Sequence, residues 1–174
     1  LDWKGGHFLR ALLRTTPEDT FDCQPLVHEE ANLLLLFDGR LDNREELGLQ
    51  LGMNASNLRN LPDSALALYA VLRWGNEAPA RFVGDFALAC WQPSRRRLWL
   101  TRDAMGTRSL YWHLNGRQLA FSSSARSLLT LPSIKPAIDE ARMHDHLCLL
   151  PQLGTERFFQ GISRVEPGHV VEFV

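Results

Sequence analysis

The chain has 174 residues, 45% of them apolar and 22% charged, with a net charge of −1 and an isoelectric point of about 6.7. One domain of this length can bury a real core, and the charge balance argues against a nucleic-acid partner, because a phosphate backbone demands a basic face. The apolar run of residues 33–37, like every other in the sequence, falls far short of the roughly 20 residues that a bilayer requires. Cys23, Cys90 and Cys148 are widely spaced and odd in number, so neither a disulfide framework nor a zinc site is expected. A reducing, cytoplasmic setting is the default.

The chain opens Leu1-Asp2-Trp3-Lys4, without methionine and without a signal-peptide pattern, and reads as part of something longer. Residues 33–37 are uniformly apolar, as in a strand buried on both faces, and Asp38-Gly39 predicts a turn at its end. Asp42 with Glu45 three residues later has the spacing of a helix-capping box, with Leu47 and Leu51 facing the core. Pro62-Asp63 opens a second helix carrying Leu66, Tyr69, Ala70 and Trp74, stopped by Gly75. Beyond Gly84 the pattern changes to strands. Residues 86–91 and 98–101 flank a turn at 93–96, and residues 109–114 and 118–122 flank Asn115-Gly116, a strong hairpin signal. Four successive strands predict a meander. Residues 139–150 predict a helix with Met143, Leu147 and Leu150 on one face, ended by Pro151, and residues 169–174 a last strand. With no repeat and no linker, the chain reads as a single α+β domain over residues 1–174.

Local chemistry is sparse. His144 and His146 sit two apart on a helix and point about 200° from each other, so they cannot share a metal ion, and no metal site is expected. Cys23 and Cys148 have no identifiable base beside them, and Cys90 reads as a small core residue. Arg95-Arg96-Arg97 reads as a solvated hairpin tip. A phosphate loop, a nucleophile elbow and a dinucleotide fingerprint are all absent from the sequence.

Several segments occur in a telling order: Gln24-Pro25-Leu26, Phe37-Asp-Gly-Arg-Leu-Asp-Asn43, Pro62-Asp63, Phe82-Val-Gly-Asp-Phe-Ala-Leu-Ala-Cys-Trp91, Leu100-Thr-Arg-Asp-Ala-Met-Gly106, Ala120-Phe-Ser-Ser123 and Gly161-Ile-Ser-Arg-Val-Glu-Pro-Gly-His169. Together they resemble the N-terminal glutamine amidotransferase domain of asparagine synthetases, an N-terminal-nucleophile fold. The resemblance implies an αββα sandwich of two antiparallel sheets flanked by helices, here lacking its N-terminal strand. That strand would belong inside a sheet, so a gap is expected. In active members of the family an N-terminal cysteine attacks the glutamine amide with its own α-amino group as base, and an Asn side chain and a glycine N–H hold the oxyanion.

Carried onto this sequence, Gly39 falls on the oxyanion glycine, Asp38 on the oxyanion Asn, and Arg40 on an acid that normally follows. Asp63 falls on a substrate-binding aspartate, and Arg14, or else Arg10, on a substrate-binding arginine. A carboxylate at position 38 only accepts hydrogen bonds and repels a developing oxyanion. No catalytic nucleophile is expected in this chain, and the site reads as a degenerate glutamine site. A structural reading of the same residues is an Asp38–Arg40 pair tightening a turn and Asp63 as a helix cap.

The pattern Arg-Leu-Asp-Asn-Arg-Glu-Glu-Leu looks more like relatives such as β-lactam synthetases and lasso-peptide cyclases, which keep this domain without releasing ammonia. The resemblance therefore implies a glutaminase-like domain of an ATP-dependent amide-forming enzyme, without glutamine hydrolysis. ATP and Mg²⁺ would be held by a separate C-terminal synthetase domain of the same protein, which is the expected partner, with a homodimer as a further expectation. The alternatives are a purely structural domain docked on that synthetase domain, and an active amidotransferase whose cysteine lies upstream of Leu1.

Overall fold

The computed structural model describes residues 1–11, 14, 17–116, 118–151, 154–155 and 158–174. A short hairpin of β1 (Asp2–Trp3) and β2 (Gly6–His7) opens the chain. A turn of 3-10 helix (Pro17–Phe21) leads to β3 (Leu26–His28) and β4 (Leu33–Leu41). Helices α1 (Arg44–Gln50), α2 (Ala55–Leu58) and α3 (Asp63–Trp74) follow. Next come β5 (Gly84–Gln92), β6 (Arg97–Arg102), β7 (Tyr111–Asn115) and β8 (Gln118–Ser122). The chain closes with α4 (Ala125–Leu128), α5 (Glu140–Leu147), β9 (Ser163–Arg164) and β10 (Val170–Phe173).

Two antiparallel sheets carry the fold, one of five strands ordered β10-β6-β5-β4-β3 and one of three ordered β8-β7-β9. Strand alternation divides the core into layers. From β4, Leu33, Leu35, Phe37 and Leu41 pack with Leu47 of α1 and Leu66, Ala67, Ala70 and Val71 of α3. The opposite parity, Leu34 and Leu36, joins Ala87, Ala89, Leu98 and Leu100 against Trp112, Leu119 and Phe121 of the smaller sheet. The outer face of that sheet, Tyr111 and Ala120, packs on Leu128 of α4 with Ile134 and Ile162. The layers therefore run helix, sheet, sheet, helix, which is the αββα sandwich that the resemblance implies. Leu33, Leu34, Leu35, Leu36 and Phe37 are all buried, each worth about 1.5–3 kcal/mol against exposure, because one face of β4 meets helices and the other meets a sheet.

Several expectations are corrected. Asp38-Gly39 is not a turn, since β4 runs unbroken to Leu41 in register with β5. The meander is split: β5 and β6 belong to the larger sheet, β7 and β8 to the smaller, because residues 103–110 carry the chain across the sandwich. Asn115 pairs with Gln118 and belongs to the strand, so it is not a turn residue. Asp42 does not cap α1. The N-cap is Asn43, and its side chain instead donates to Arg81 O (2.9 Å) and accepts from Val83 N (3.0 Å), clamping the segment that enters β5. Helix α5 stops at Leu147, before Pro151.

The motif Arg102-Asp-Ala-Met-Gly106 acts as a staple. Arg102 is 2% exposed, and its guanidinium donates to Val165 O (3.0 Å) and to Gly106 O. The Asp103 carboxylate accepts from Thr107 N (2.9 Å), Arg108 N (3.1 Å) and Phe86 N (3.4 Å), and its carbonyl accepts from Gly168 N (2.9 Å). The end of β6, the loop that follows it and the Pro167-Gly168 turn are thereby fixed to one another.

Candidate functional site

A cavity of about 230 Å³ lies at one end of the sandwich, roomy enough for one small polar molecule. Segments distant in sequence converge on it. Arg10 and Ala11 follow β2, Asp19 lies in the 3-10 turn, and Asp22 and Gln24 precede β3. Phe37, Asp38 and Gly39 belong to β4, Asp63 and Ser64 open α3, Arg108 follows β6, and Ser123 follows β8.

Strand parity explains why Asp38 is there. It continues the Leu34 and Leu36 face, so the apolar layer between the sheets turns polar at this residue. Arg10 Nη2 donates to Asp38 Oδ1 at 3.1 Å, with side chains 17% and 32% exposed. The predicted Asp38–Arg40 pair does not form. Arg40 shares the parity of Asp38 but lies farther out, where its Nε pairs with Asp42 Oδ1 at 2.8 Å, and it does not line the cavity. Arg14 is exposed and lies outside the lining. The arginine the structure brings to Asp38 is Arg10.

Gly39 is required by close approach. Its φ is +158°, and a Cβ there would stand 2.0 Å from Asp85 O and 2.6 Å from the Phe86 Cα. On β5, opposite Leu41, a Cβ on Gly84 would stand 2.1 Å from Arg40 O. The two glycines let β4 and β5 press together beneath the cavity.

Asp63 lines the cavity, but both of its oxygens are taken. Oδ2 accepts from Leu41 N at 2.8 Å, and Oδ1 accepts from Arg44. Arg44 also donates to Leu58 O (2.9 Å) and Leu61 O (2.7 Å), so this pair ties α1, the end of α2 and α3 to β4. Burial pushes the Asp63 carboxyl above its usual 3.8, against the pull of Leu41 N–H and Arg44. It is not the cap of α3, whose N-cap is Pro62. Next to it, Ser64 Oγ donates to Asp22 Oδ1 (2.9 Å). Gln24 spans the floor, its Nε2 donating to Asp22 Oδ2 and to Phe37 O (both 2.8 Å) and its Oε1 accepting from Phe37 N (2.6 Å).

Among the described residues no thiol lines the cavity. Cys23 is exposed with its Sγ directed to Phe21 O (3.5 Å), Cys148 is exposed, and burial pushes the Cys90 thiol up to about 12. Nor do the described residues group three or more His, Cys, Asp or Glu side chains in a way that could hold a metal ion. Among the described residues no helix is long and apolar enough to cross a membrane. The sequence offers Arg10 only as the alternative to Arg14 and does not single out Arg44 or Arg108, because their roles depend on segments that meet only in the fold. The parity of β4 would have placed Asp38 on the face shared with Leu34 and Leu36, but residue type reads Asp38-Gly39 as a turn and so hides that signal.

An αββα sandwich with a polar cavity at the end of its central strands defines the class. A family profile for the glutamine amidotransferase domain matches residues 3–174, and the chain belongs to that family. Similar proteins include asparagine synthetase [glutamine-hydrolyzing] 3 of Bacillus subtilis, 26% identical over 141 residues, covering 80% of this chain and 23% of that protein. Amidase chry2 of Gibberella zeae is 23% identical over 164 residues, covering 94% and 23%. A putative asparagine synthetase [glutamine-hydrolyzing] of Mycobacterium tuberculosis is 28% identical over 142 residues, covering 78% and 21%. The chain thus spans less than a quarter of the length of these relatives. A solved structure of glutamine phosphoribosylpyrophosphate amidotransferase from B. subtilis superposes with a TM-score of 0.48 at 18% identity, over 60% of this chain and 25% of that one.

Proposed function

We propose that this chain is the glutaminase-like domain of an ATP-dependent amide-forming enzyme related to asparagine synthetases, and that it does not hydrolyse glutamine. The observation that carries this reading is the Asp38 carboxylate, held beside Gly39 by Arg10 within the cavity. A glutaminase needs a hydrogen-bond donor at the point where an oxyanion develops, worth about 2.7–4 kcal/mol of transition-state stabilisation. Asp38 offers only acceptors. Of the two arginines that line the cavity, Arg10 is already engaged by Asp38. Asp63 is likewise committed to Arg44 and Leu41 N–H, which leaves it a part of the scaffold.

In this reading ATP and Mg²⁺ act in a separate C-terminal synthetase domain of a longer cytoplasmic protein, and the present domain supports that activity without supplying ammonia. The relatives' greater length and the asparagine synthetase names among them favour this placement. The test is to incubate the protein with glutamine and measure glutamate. No release above the uncatalysed rate is expected. Clear turnover would overturn the reading in favour of an active amidotransferase whose nucleophile precedes Leu1.

A further inference from the structure

Helix α5 is the one long element that contributes to no core. None of its residues is buried, and neither Met143 nor Leu147 belongs to any of the three apolar clusters. Its apolar side chains gather at its C-terminal end, where Leu147 is 75%, Leu149 90% and Leu150 49% exposed. Singly exposed leucines are ordinary, but a contiguous group is not.

The backbone sharpens the point. The helix ends in a Schellman turn, with Leu150 N donating to Asp145 O at 2.9 Å and Leu149 in the left-handed region at φ +55°. That position favours glycine, because a Cβ disfavours left-handed backbone. Here it carries a leucine that touches almost nothing within the domain.

We infer that the apolar end of α5, formed by Met143, Leu147, Leu149 and Leu150, is a docking surface for the remainder of the same polypeptide, a second and larger domain. The choice of occupant rests on length: the curated relatives extend over more than four times the span that this chain matches, which favours a larger domain of the same polypeptide as the body that covers this face. An apolar cap of leucines fits a hydrophobic recess on it. The inference rests on the proposed function only for the existence of that second domain, not for the loss of glutamine hydrolysis.

The experiment is hydrogen exchange on the full-length protein, comparing wild type, Leu149→Gly and the triple variant Leu147→Ser, Leu149→Gly, Leu150→Ser. Leu149→Gly removes the left-handed strain, so a folding defect is not expected from it. In wild type the amides of residues 143–150 exchange about tenfold or more slowly than in the triple variant, while those of β4 and β5 are unchanged. Leu149→Gly falls between the two. Equal exchange in all three proteins overturns the inference. So does protection that disappears on dilution together with a dimer-to-monomer change in light scattering, which would assign the surface to a second copy. Glutamate release measured on the same samples separates the two claims. Protection together with glutamine turnover overturns the proposed function alone, and fast exchange without turnover overturns the docking surface alone.

Discussion

Arg10 and Asp38, 28 positions apart in sequence, meet at 3.1 Å inside the cavity at the end of the sandwich. The pair explains how this fold can keep the outline of a glutamine site and lose its chemistry. The anion stands where a neutral donor is needed, and the Arg10 cation that would receive a substrate carboxylate is already paired with Asp38.

Asp38→Asn should therefore move the site toward glutamine. The amide removes the negative charge and releases Arg10 for a carboxylate. Titration calorimetry should show glutamine binding in the variant and none in the parent. Arg10→Ala leaves Asp38 without its partner, and because both side chains are partly solvated the expected loss of stability is only about 1 kcal/mol, read from urea denaturation.

Asp63 and Arg44 form a structural pair of a different kind. Asp63→Ala leaves the Leu41 N–H unpaired and the Arg44 charge uncompensated within a half-buried network. A loss of about 3 kcal/mol or more is expected in urea denaturation. Arg44→Ala should cost less, because the Asp63 carboxylate keeps its backbone donor. If Asp63→Ala were neutral, its assignment to the scaffold would be wrong.

Much of this architecture is visible in the sequence. The five apolar residues of β4, the Pro62-Asp63 start and Gly75 stop of α3, and the hairpin of β7 and β8 follow from local pattern alone. What fails is non-local. The same alternation fits a strand of either sheet, so nothing local in residues 86–122 reveals that the chain changes sheets after Arg102. Asp38-Gly39 reads as a turn by residue type, yet the close approach of Asp85 keeps the strand extended and requires the glycine. The early end of α5 is hidden because Leu149 occupies a position where glycine is the usual marker. At the cavity, Asp38, Gly39 and Asp63 are picked out by resemblance, with Arg10 as the alternative to Arg14, whereas Arg108 and Ser123 join them only when separate segments converge.

Gly39→Ala should be among the most damaging single changes in the protein. The added methyl would sit 2.0 Å from Asp85 O, on backbone that cannot yield without parting β4 from β5. A loss of about 3 kcal/mol or more is expected. In thermal denaturation, Gly116→Ala at the open hairpin loop, where nothing lies within 4 Å, should cost far less and serves as the comparison. Comparable melting temperatures for the two variants would refute the close-approach argument.

The cysteines should separate cleanly in a thiol assay. Cys23 and Cys148 are exposed and Cys90 is buried, its thiol held up to about 12 by desolvation. In native protein near pH 8, a disulfide reagent should label Cys23 and Cys148 promptly, with Cys90 reacting only after denaturation. Prompt labelling of Cys90 would mean that β5 is not sealed between α3 and the second sheet.

Two buried carboxylates should give the stability profile opposing slopes. Burial raises Asp63 above 3.8, so the folded protein holds that proton more tightly than the unfolded chain does. Its contribution is greatest below 3.8 and declines as pH rises through the raised value. Asp103 behaves in the other sense. Burial pushes it up, but the N–H groups of Thr107, Arg108, Phe86 and Gly106 outweigh burial and hold it below 3.8. Its stabilisation is complete above 3.8 and is lost as pH falls through the lowered value. Urea midpoints measured between about pH 2 and pH 7 on wild type, Asp63→Asn and Asp103→Asn resolve the two. Asp103→Asn should flatten the acid limb and lower the plateau, since the amide loses the charge that strengthens those backbone bonds. Asp63→Asn should remove the decline above 3.8 and leave the acid limb in place. An acid limb unchanged in Asp103→Asn would show that the Arg102-Asp103 staple does not set the acid stability of this fold.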